Sequence, residues 1–182
     1  MRIAIFYETW NGQAGRVADR IAEGFRKAGH EASVQRCRDA APLGVSAAEA
    51  FVVGSSVQMG KHHAKAVSFV KSNLEALRSK PSAFFSVSMT GRLKNAQEKE
   101  MMAKILSDFR KDSGWEPARV ECFAGAILYT KYWFLIRWIM KRIARSQGND
   151  TDTSRDHVYT DWEAVDRFAA EFAADVQGRS LA

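Results

Sequence analysis

The stretch from Arg2 to Gly15, RIAIFYETWNGQAG, constrains the fold of this chain more than any other. It begins with an uninterrupted apolar run at residues 3–7, which is typical of a strand buried on both faces in the middle of a parallel sheet. Small polar residues follow at once, and then a helical pattern in which Val17, Ile21 and Phe25 share one face. A strand, a turn and a helix in this order direct backbone N–H groups and the positive end of a helix dipole at one point, where an anion can bind.

The loop between this strand and helix contains neutral hydrogen-bond donors. It has no Lys followed by Ser or Thr after its glycine, so it is not a nucleoside-triphosphate loop. It also lacks the G-x-G-x-x-G spacing of dinucleotide-binding folds. The hydroxyl of Thr9, the side-chain amides of Asn11 and Gln13, and the flexible Gly12 suit a terminal monophosphate. An ordinary strand-to-helix turn is the alternative interpretation of this spacing.

Length, charge and cysteine content narrow the class of protein. A chain of 182 residues is long enough for one full core, and we expect a single domain over residues 1–178. Cys37 and Cys122 lie far apart in or beside predicted strands, which indicates neither a disulfide framework nor a metal cluster and favours a reducing compartment. We expect no signal peptide and no membrane span. The net charge of +6 favours an anionic partner.

Strands and helices are predicted to alternate along the rest of the chain. Four further segments have the composition of strands: 32–37, 50–54, 83–89 and 120–128. Three segments have apolar residues at helical spacing: 67–77, 102–109 and 165–176. Residues 55–63 are predicted to be a loop, and Thr160 with Glu163 is predicted to be a capping box opening the last helix. This alternation predicts an α/β fold with a doubly wound, five-stranded parallel sheet covered by helices on both faces.

Residues 129–157 interrupt this alternation as an insertion. Its first part, Tyr129 to Arg145, has five basic and no acidic residues, and at helical spacing its basic side chains oppose a broad apolar face. A basic amphipathic helix with tryptophans suits the surface of an anionic membrane. Alternatives are a helix packed on its own domain, a hydrophobic ligand and a homo-oligomer contact; a nucleic-acid partner is not expected. The predicted membrane or quinone contacts are Trp133, Phe134, Arg137, Trp138 and Lys141.

Together these stretches of sequence resemble those of a known family. The Thr-x-Asn-Gly-Gln loop after the first strand of a five-stranded doubly wound pattern resembles the flavodoxins, which hold FMN. Three further stretches, residues 54–63, 81–87 and 124–126 with the insertion that leads into VYTDWE at 158–163, are similar to the flavodoxin-type protoporphyrinogen IX dehydrogenases, which pass electrons to quinone. The similarity runs nearly end to end. One position departs from the flavodoxin pattern, because Ala14 stands where a phosphate-binding threonine is usual.

The resemblance implies a strand order of 2-1-3-4-5 and a site for FMN at the ends of the strands. The phosphate would lie on residues 9–14 and the flavin ring between two later loops. The implied cofactor residues are Thr9, Trp10, Asn11, Gly12, Gln13, Ala14, Ser56, Val57, Gln58, Met59, Gly60, Ser88, Met89, Thr90 and Gly91. Because a lost charge-assisted hydrogen bond is worth ~1.5–3 kcal/mol, Ala14 predicts FMN binding roughly tenfold to a hundredfold weaker than in typical flavodoxins.

The resemblance also implies a porphyrinogen substrate, a quinone acceptor and a cytoplasmic enzyme held at the inner face of the cell membrane. We hypothesise that Lys61, Arg92 or Lys94 binds the substrate carboxylates. His62 and His63 are candidates for a proton relay, although two histidines of a loop or helix start are the simpler interpretation. No catalytic base is singled out, and no metal is expected.

Three other functions compete with this one. A flavodoxin-like NAD(P)H:quinone reductase would share the fold and the flavin. An electron-transfer flavodoxin would present an acidic face to basic partners, which the net charge of +6 opposes. A flavin-free module that binds a membrane surface is the alternative outside enzymes, and the departure at Ala14 makes it conceivable.

Overall fold

A parallel sheet forms the centre of the protein. The computed structural model describes residues 1–40, 47–92, 95–127, 142, 152–154 and 156–180. Within them the strands are β1 Arg2–Glu8, β2 Glu31–Arg36, β3 Ala50–Gln58, β4 Lys61–His62, β5 Ser82–Ser88, β6 Arg119–Ala124, β7 Ala126–Ile127 and β8 His157–Val158. The five parallel strands run in the order β2-β1-β3-β5-β6. Without the short β4, this is the predicted order 2-1-3-4-5, and the prediction is confirmed.

Helices cover both faces of this sheet. They are α1 Gln13–Lys27, α2 Ala64–Ser72, α3 Leu74–Ser79, α4 Ala96–Ser113 and α5 Trp162–Ser180. Helices α1 and α5 pack on the face that contains Ile5 and Phe85, and α2, α3 and α4 pack on the face that contains Phe6 and Phe84. Apolar residues on both faces of β1, β3 and β5 explain their uninterrupted apolar runs. The alternating segment after α1 is an edge strand, β2.

The prediction of a loop over residues 55–63 was wrong. Strand β3 continues to Gln58, and the chain turns back at Met59 and Gly60, which have φ angles of 52° and 75°. Strand β4 then pairs with the end of β3 in antiparallel orientation. The polar Ser55 is completely buried there because its Oγ accepts a hydrogen bond from the N–H of His63 at 3.0 Å. A tertiary contact therefore overrides the polar composition of this segment.

Three other boundaries differ from the predictions. The helix over 67–77 is divided at Asn73, whose Nδ2 donates to the carbonyl of Phe69 at 2.8 Å. The strand over 120–128 ends at Ala124, and β7 turns aside to pair with β8. The capping box at Thr160 was wrong, because Oδ1 of Asp161 accepts hydrogen bonds from the N–H groups of Glu163 and Ala164 at 3.0 and 3.1 Å and caps α5 instead.

Candidate functional site

The carboxyl ends of the parallel strands bring the predicted loops together. We call this region the carboxyl edge and define it as residues 9–13, 56–60, 88–92, 124–126 and 157–160. Hydrogen bonds join its loops directly: the N–H of Trp10 donates to Oγ of Ser56 at 3.3 Å, and the N–H of Gly125 donates to the carbonyl of Ser88 at 2.9 Å. Ligands of doubly wound sheets bind at this edge, where the strand order reverses.

In the loop over residues 9–14, backbone N–H groups donate to neutral side-chain oxygens of the same loop. The N–H of Gly12 donates to Oγ1 of Thr9 at 3.0 Å, and the N–H of Gln13 donates to Oδ1 of Asn11 at 3.2 Å. Gly12 has a φ of 94°, and the first turn of α1 has no acidic residue. The N–H groups of Asn11 and Ala14 donate to no acceptor among the described residues. A phosphate can take over such donors, so this donor set fits an anion.

The side chains of Gln13 and Ala14 face the protein rather than the loop opening. Nε2 of Gln13 donates to Oγ1 of Thr160 at 2.8 Å, and that hydroxyl donates to the carbonyl of Ala124 at 2.7 Å. Ala14 is completely buried in the core. Each residue can therefore contribute a backbone N–H to an anion, and the Gln13 side chain instead ties the loop to β6 and to the segment after β8.

The second predicted loop begins with Ser88 and forms a tight turn over residues 90–92. Oγ of Ser88 accepts a hydrogen bond from the N–H of Gly91 at 2.9 Å. A Cβ atom at Gly91 would lie 2.3 Å from the carbonyl oxygen of Phe123, so only glycine fits against β6 here. The Arg92 guanidinium carbon lies 4.1 Å from the centre of the Tyr159 ring. This turn thus places a cation and an aromatic ring together at the end of β6.

The third predicted loop is the β3–β4 hairpin. Val57 and Gln58 belong to β3, whereas Met59 and Gly60 form the tip. Met59 is 96% exposed. Lys61 pairs with Gln58 in β4 and is exposed to solvent. The predicted contact region for a flavin ring is thus a projecting hairpin.

The exposed apolar residues concentrate around this edge. Among the described residues the large exposed ones are Trp10, Met59, Met101 and Val158. Trp10 and Met59 follow β1 and β3, and Val158 belongs to β8 at the end of β6. Met101 reaches the same edge because its sulfur accepts a hydrogen bond from Oγ1 of Thr90 at 3.8 Å. A concentrated group of exposed apolar side chains indicates a binding surface.

The two adjacent histidines have different surroundings. His62 is buried, with Nε2 2.9 Å from Oγ of Ser86, and burial lowers its pKa to about 4. His63 is the N-cap of α2, where Nδ1 accepts from the N–H of Lys65 at 3.2 Å, and its ring lies 4.3 Å from that of Trp10. Burial also lowers the pKa of His63. His62 is therefore neutral near pH 7, and His63 lies where the helix-start interpretation predicts.

Glu8 is a residue that the sequence analysis missed. It is completely buried at the end of β1, and Arg38 donates to both of its oxygens, at 2.6 Å from Nη2 and 3.1 Å from Nε. Burial alone would raise the pKa of Glu8, but the hydrogen bonds from Arg38 and from the N–H of Thr9 lower it overall. The pair fixes the start of the loop over 9–14. An acidic residue directly after the apolar run of residues 3–7 was the available signal.

Several predicted contact residues belong to other parts of the chain. Most of the insertion lies outside the described residues, and so do the predicted contacts Lys94, Trp133, Phe134, Arg137, Trp138 and Lys141. In the part of the chain that is described, no helix has the length and apolar composition needed to cross a membrane. Cys37 and Cys122 are both free thiols.

The fold has counterparts among known proteins. A family model described as a flavodoxin domain matches residues 4–154. A flavodoxin from the domain Archaea superimposes with a TM-score of 0.54 at 16% identity over 97% of this chain and 99% of that chain. The oxidised flavodoxin 2 from Bacillus cereus gives a TM-score of 0.56 at 18% identity over 96% of this chain and 99% of that chain. The chain belongs to the flavodoxin family, which implies a flavin cofactor.

More similar sequences identify the particular branch of this family. The protoporphyrinogen IX dehydrogenase [quinone] of Escherichia coli strain K12 is 32% identical over 173 residues, which cover 95% of each chain. The protein of the same name from Leishmania major is 34% identical over 177 residues, covering 93% of this chain and 74% of that one. At this identity over nearly the whole length, the chain is a member of the protoporphyrinogen IX dehydrogenase [quinone] branch.

Proposed function

We propose that this protein uses FMN to oxidise protoporphyrinogen IX to protoporphyrin IX and passes the electrons to a quinone. The observation that carries the proposal is the neutral donor loop over residues 9–14, in a chain whose relatives from Escherichia coli and Leishmania major bear the name of this activity. The donor loop supports the cofactor, and the relatives support the substrate and the acceptor.

The loop chemistry favours FMN over larger flavin cofactors. The hydroxyl of Thr9, the side chain of Asn11 and the N–H groups of residues 11–14 would hold a single phosphate at the start of α1. No Lys or Arg lies within the loop to balance a second phosphate. When bound, FMN supplies two-electron redox chemistry. Ala14 offers no hydroxyl, so we expect weaker FMN binding than a threonine at this position would give.

The carboxyl edge suits an apolar substrate that carries carboxylates. Trp10, Met59 and Met101 provide exposed apolar surface; of the hypothesised cations, Lys61 follows the hairpin tip and Arg92 closes the turn over residues 90–92. A porphyrinogen is an apolar macrocycle with two carboxylates, so both features have a partner on the substrate. The protein would bind and orient this macrocycle against the flavin.

We further propose that the protein associates peripherally with the inner face of the cell membrane through the basic, aromatic insertion. The support is the composition of residues 129–145 together with the position of the two ends of the insertion. Strands β7 and β8 pair where it leaves and returns, and Nδ2 of Asn11 donates to the carbonyl of Ala126 at 3.4 Å. The insertion thus starts beside the proposed cofactor loop, where a quinone dissolved in the membrane would be needed.

The test is a flavin titration followed by two half-reactions. Purified protein should quench the fluorescence of added FMN. Anaerobic protoporphyrinogen IX should then bleach the bound flavin, and a soluble quinone should restore its colour. Bleaching by NADPH but not by the porphyrinogen would instead establish a quinone reductase. A protein that quenches no flavin at any concentration would refute the proposal and favour the flavin-free module.

A matched pair of variants tests the loop itself. Thr9→Val removes the hydroxyl that would donate to the phosphate, and we expect FMN to bind about tenfold more weakly because a hydrogen bond of about 1.5 kcal/mol is lost. Ser68→Ala removes a hydroxyl from α2, away from the loop, and serves as the control, with unchanged affinity expected. Equal affinities for all three proteins would show that the Thr9 hydroxyl does not bind the phosphate.

A further inference from the structure

We propose that Tyr159 is a positioning residue that holds the Arg92 guanidinium at the carboxyl edge, where it binds a substrate carboxylate. This inference rests on the proposed function and names the anion partner within it. Of the three hypothesised cations, Lys94 is not described, and Lys61 borders a groove of about 540 Å³ between α2 and α4. Arg92 is the cation whose side chain lies against the loops of the carboxyl edge.

The contact between Arg92 and Tyr159 orients the guanidinium. Its central carbon lies 4.1 Å from the centre of the ring, well within the range of a cation–π interaction. A guanidinium held over an aromatic ring keeps N–H groups in its own plane, directed away from the ring. Those groups match the two oxygens of a carboxylate, which a flexible lysine ammonium cannot do.

Both partners are fixed to the same strand. The N–H of Tyr159 donates to the carbonyl of Gly125 at 3.1 Å, and the following Thr160 donates through its hydroxyl to Ala124 at 2.7 Å. The turn that carries Arg92 is packed on β6 through Gly91. Because the ring and the guanidinium are each anchored to the end of β6, little side-chain freedom would be lost when a carboxylate binds.

The neighbourhood of this pair is apolar and aromatic. The His157 ring lies nearly parallel to that of Tyr159, with centres 6.3 Å apart. Val158 and Met101 are exposed nearby, and the latter contacts Thr90 in the turn that carries Arg92. One oriented cation beside apolar surface is complementary to an apolar ring system that carries an acid. The class of ligand is therefore an aromatic or macrocyclic carboxylic acid rather than an inorganic anion.

The experiment measures porphyrin binding to the FMN-loaded protein by absorbance titration, together with steady-state kinetics. Tyr159→Leu removes the ring and keeps an apolar side chain, and we expect the Kd for protoporphyrin IX and the KM for the porphyrinogen to rise about threefold to thirtyfold. The kcat value and the Kd for FMN should change less than about twofold. Tyr159→Phe keeps the aromatic face and should restore most of the affinity. Lys104→Gln, an exposed charge change on α4, is the control.

Comparing the porphyrin acid with its dimethyl ester, in the native protein and in two variants, separates a positioning role from a general loss of structure. The dimethyl ester of the porphyrin lacks the anion, so it should bind the native protein more weakly than the acid does. Arg92→Gln and Tyr159→Leu should both reduce this preference for the acid. Equal binding of acid and ester by the native protein would overturn the proposal, as would an unchanged preference in a folded Tyr159→Leu variant. If that variant fails to fold, an unchanged preference in Arg92→Gln overturns it instead.

The two proposals fail in different ways. Preferential binding of the porphyrin acid without oxidation of the porphyrinogen would refute the proposed function and leave the role of Tyr159 supported. Porphyrinogen oxidation with no difference between acid and ester would leave the function standing and refute the anion site.

Discussion

The two edges of the sheet stabilise the protein in different ways. The amino edge carries exposed ion pairs, such as Arg2 with Glu49 at 3.9 Å and Arg119 with Asp175 at 2.8 Å. At the carboxyl edge, Gly91 packs against a backbone carbonyl, and the completely buried carboxylate of Glu8 lies directly before this edge at the end of β1. Solvent screens the pairs of the first edge, whereas the Glu8 carboxylate is shielded from water and depends on its hydrogen bonds to Arg38 and Thr9.

This difference indicates which edge tolerates substitution. An exposed ion pair is worth about 0–1 kcal/mol because water can replace either partner. A buried hydrogen-bonded charge costs more when its partner is lost, since water cannot reach the group that remains. The edge that carries the proposed site should therefore also be the edge where single substitutions cost the most stability.

The largest effect is expected at Gly91. Gly91→Ala would place a Cβ atom 2.3 Å from the carbonyl oxygen of Phe123, and because a backbone oxygen cannot rotate away as a side chain can, the turn must shift. We expect a loss of about 3 kcal/mol in unfolding free energy, measured by urea denaturation. Gly125→Ala is the matched control at the same edge, because its nearest contact would be an ordinary 3.4 Å to Ser88. Equal losses for the two variants would contradict the packing explanation.

The next largest effect is expected at Glu8, and it distinguishes a buried ion pair from an exposed one. Glu8→Gln replaces a buried carboxylate oxygen by an NH₂ group that faces the N–H donors of Arg38 and Thr9 with no acceptor, and we expect a loss of about 2–3 kcal/mol in unfolding free energy. Asp175→Asn makes the same chemical change at the amino edge, where the carboxylate side chain is 51% exposed, and should cost at most about 1 kcal/mol. Equal costs would show that burial does not distinguish the two edges.

The Glu8–Arg38 pair also predicts a pH dependence of stability. The folded pKa of Glu8 lies below its ordinary value of 4.5, so the unfolded chain binds the proton first as pH falls. The stabilisation from this group is complete above about pH 4.5 and is lost as pH falls through the folded pKa. Urea denaturation from pH 6 to pH 3 should therefore show a steeper loss for the native protein than for Glu8→Gln. Parallel curves would contradict the assignment.

The smallest expected effect is the contribution of two buried histidines to the pH dependence of stability. Burial lowers the pKa of His62 to about 4, and burial followed by the N-terminal charge lowers the pKa of His30 at the amino edge. Each has a lower pKa in the folded protein than in the unfolded chain, so unfolding takes up protons as pH falls below about 6.5 and stability falls through that range. His62 should account for about 2 kcal/mol between pH 7 and pH 5.

The measurement is a histidine NMR titration alongside urea denaturation at the two pH values. His62→Gln should flatten the change in unfolding free energy between them. A His62 resonance that titrates near pH 6.5 in the folded protein would contradict the prediction.

Sequence patterns predicted the sheet better than its connections. The apolar runs of β1, β3 and β5 were recognised because both faces of a central strand are buried, and the edge position of β2 followed from its alternation. The β3–β4 hairpin was missed because its turn depends on a left-handed conformation at Met59, which no residue preference signals. Thr160 was mistaken for a helix cap because its hydroxyl instead donates to Ala124.

The composition of the first 15 residues was sufficient to indicate a buried strand, a neutral donor loop and a helix, because hydrophobic periodicity and loop chemistry are local properties. Only the tertiary structure assigned the polar partners. Gln13 bonds to Thr160 across 147 positions of sequence, and Asn11 bonds to Ala126 across 115. A side chain with several possible partners acquires one when distant segments converge and exclude water, and the carboxyl edge is where those segments meet.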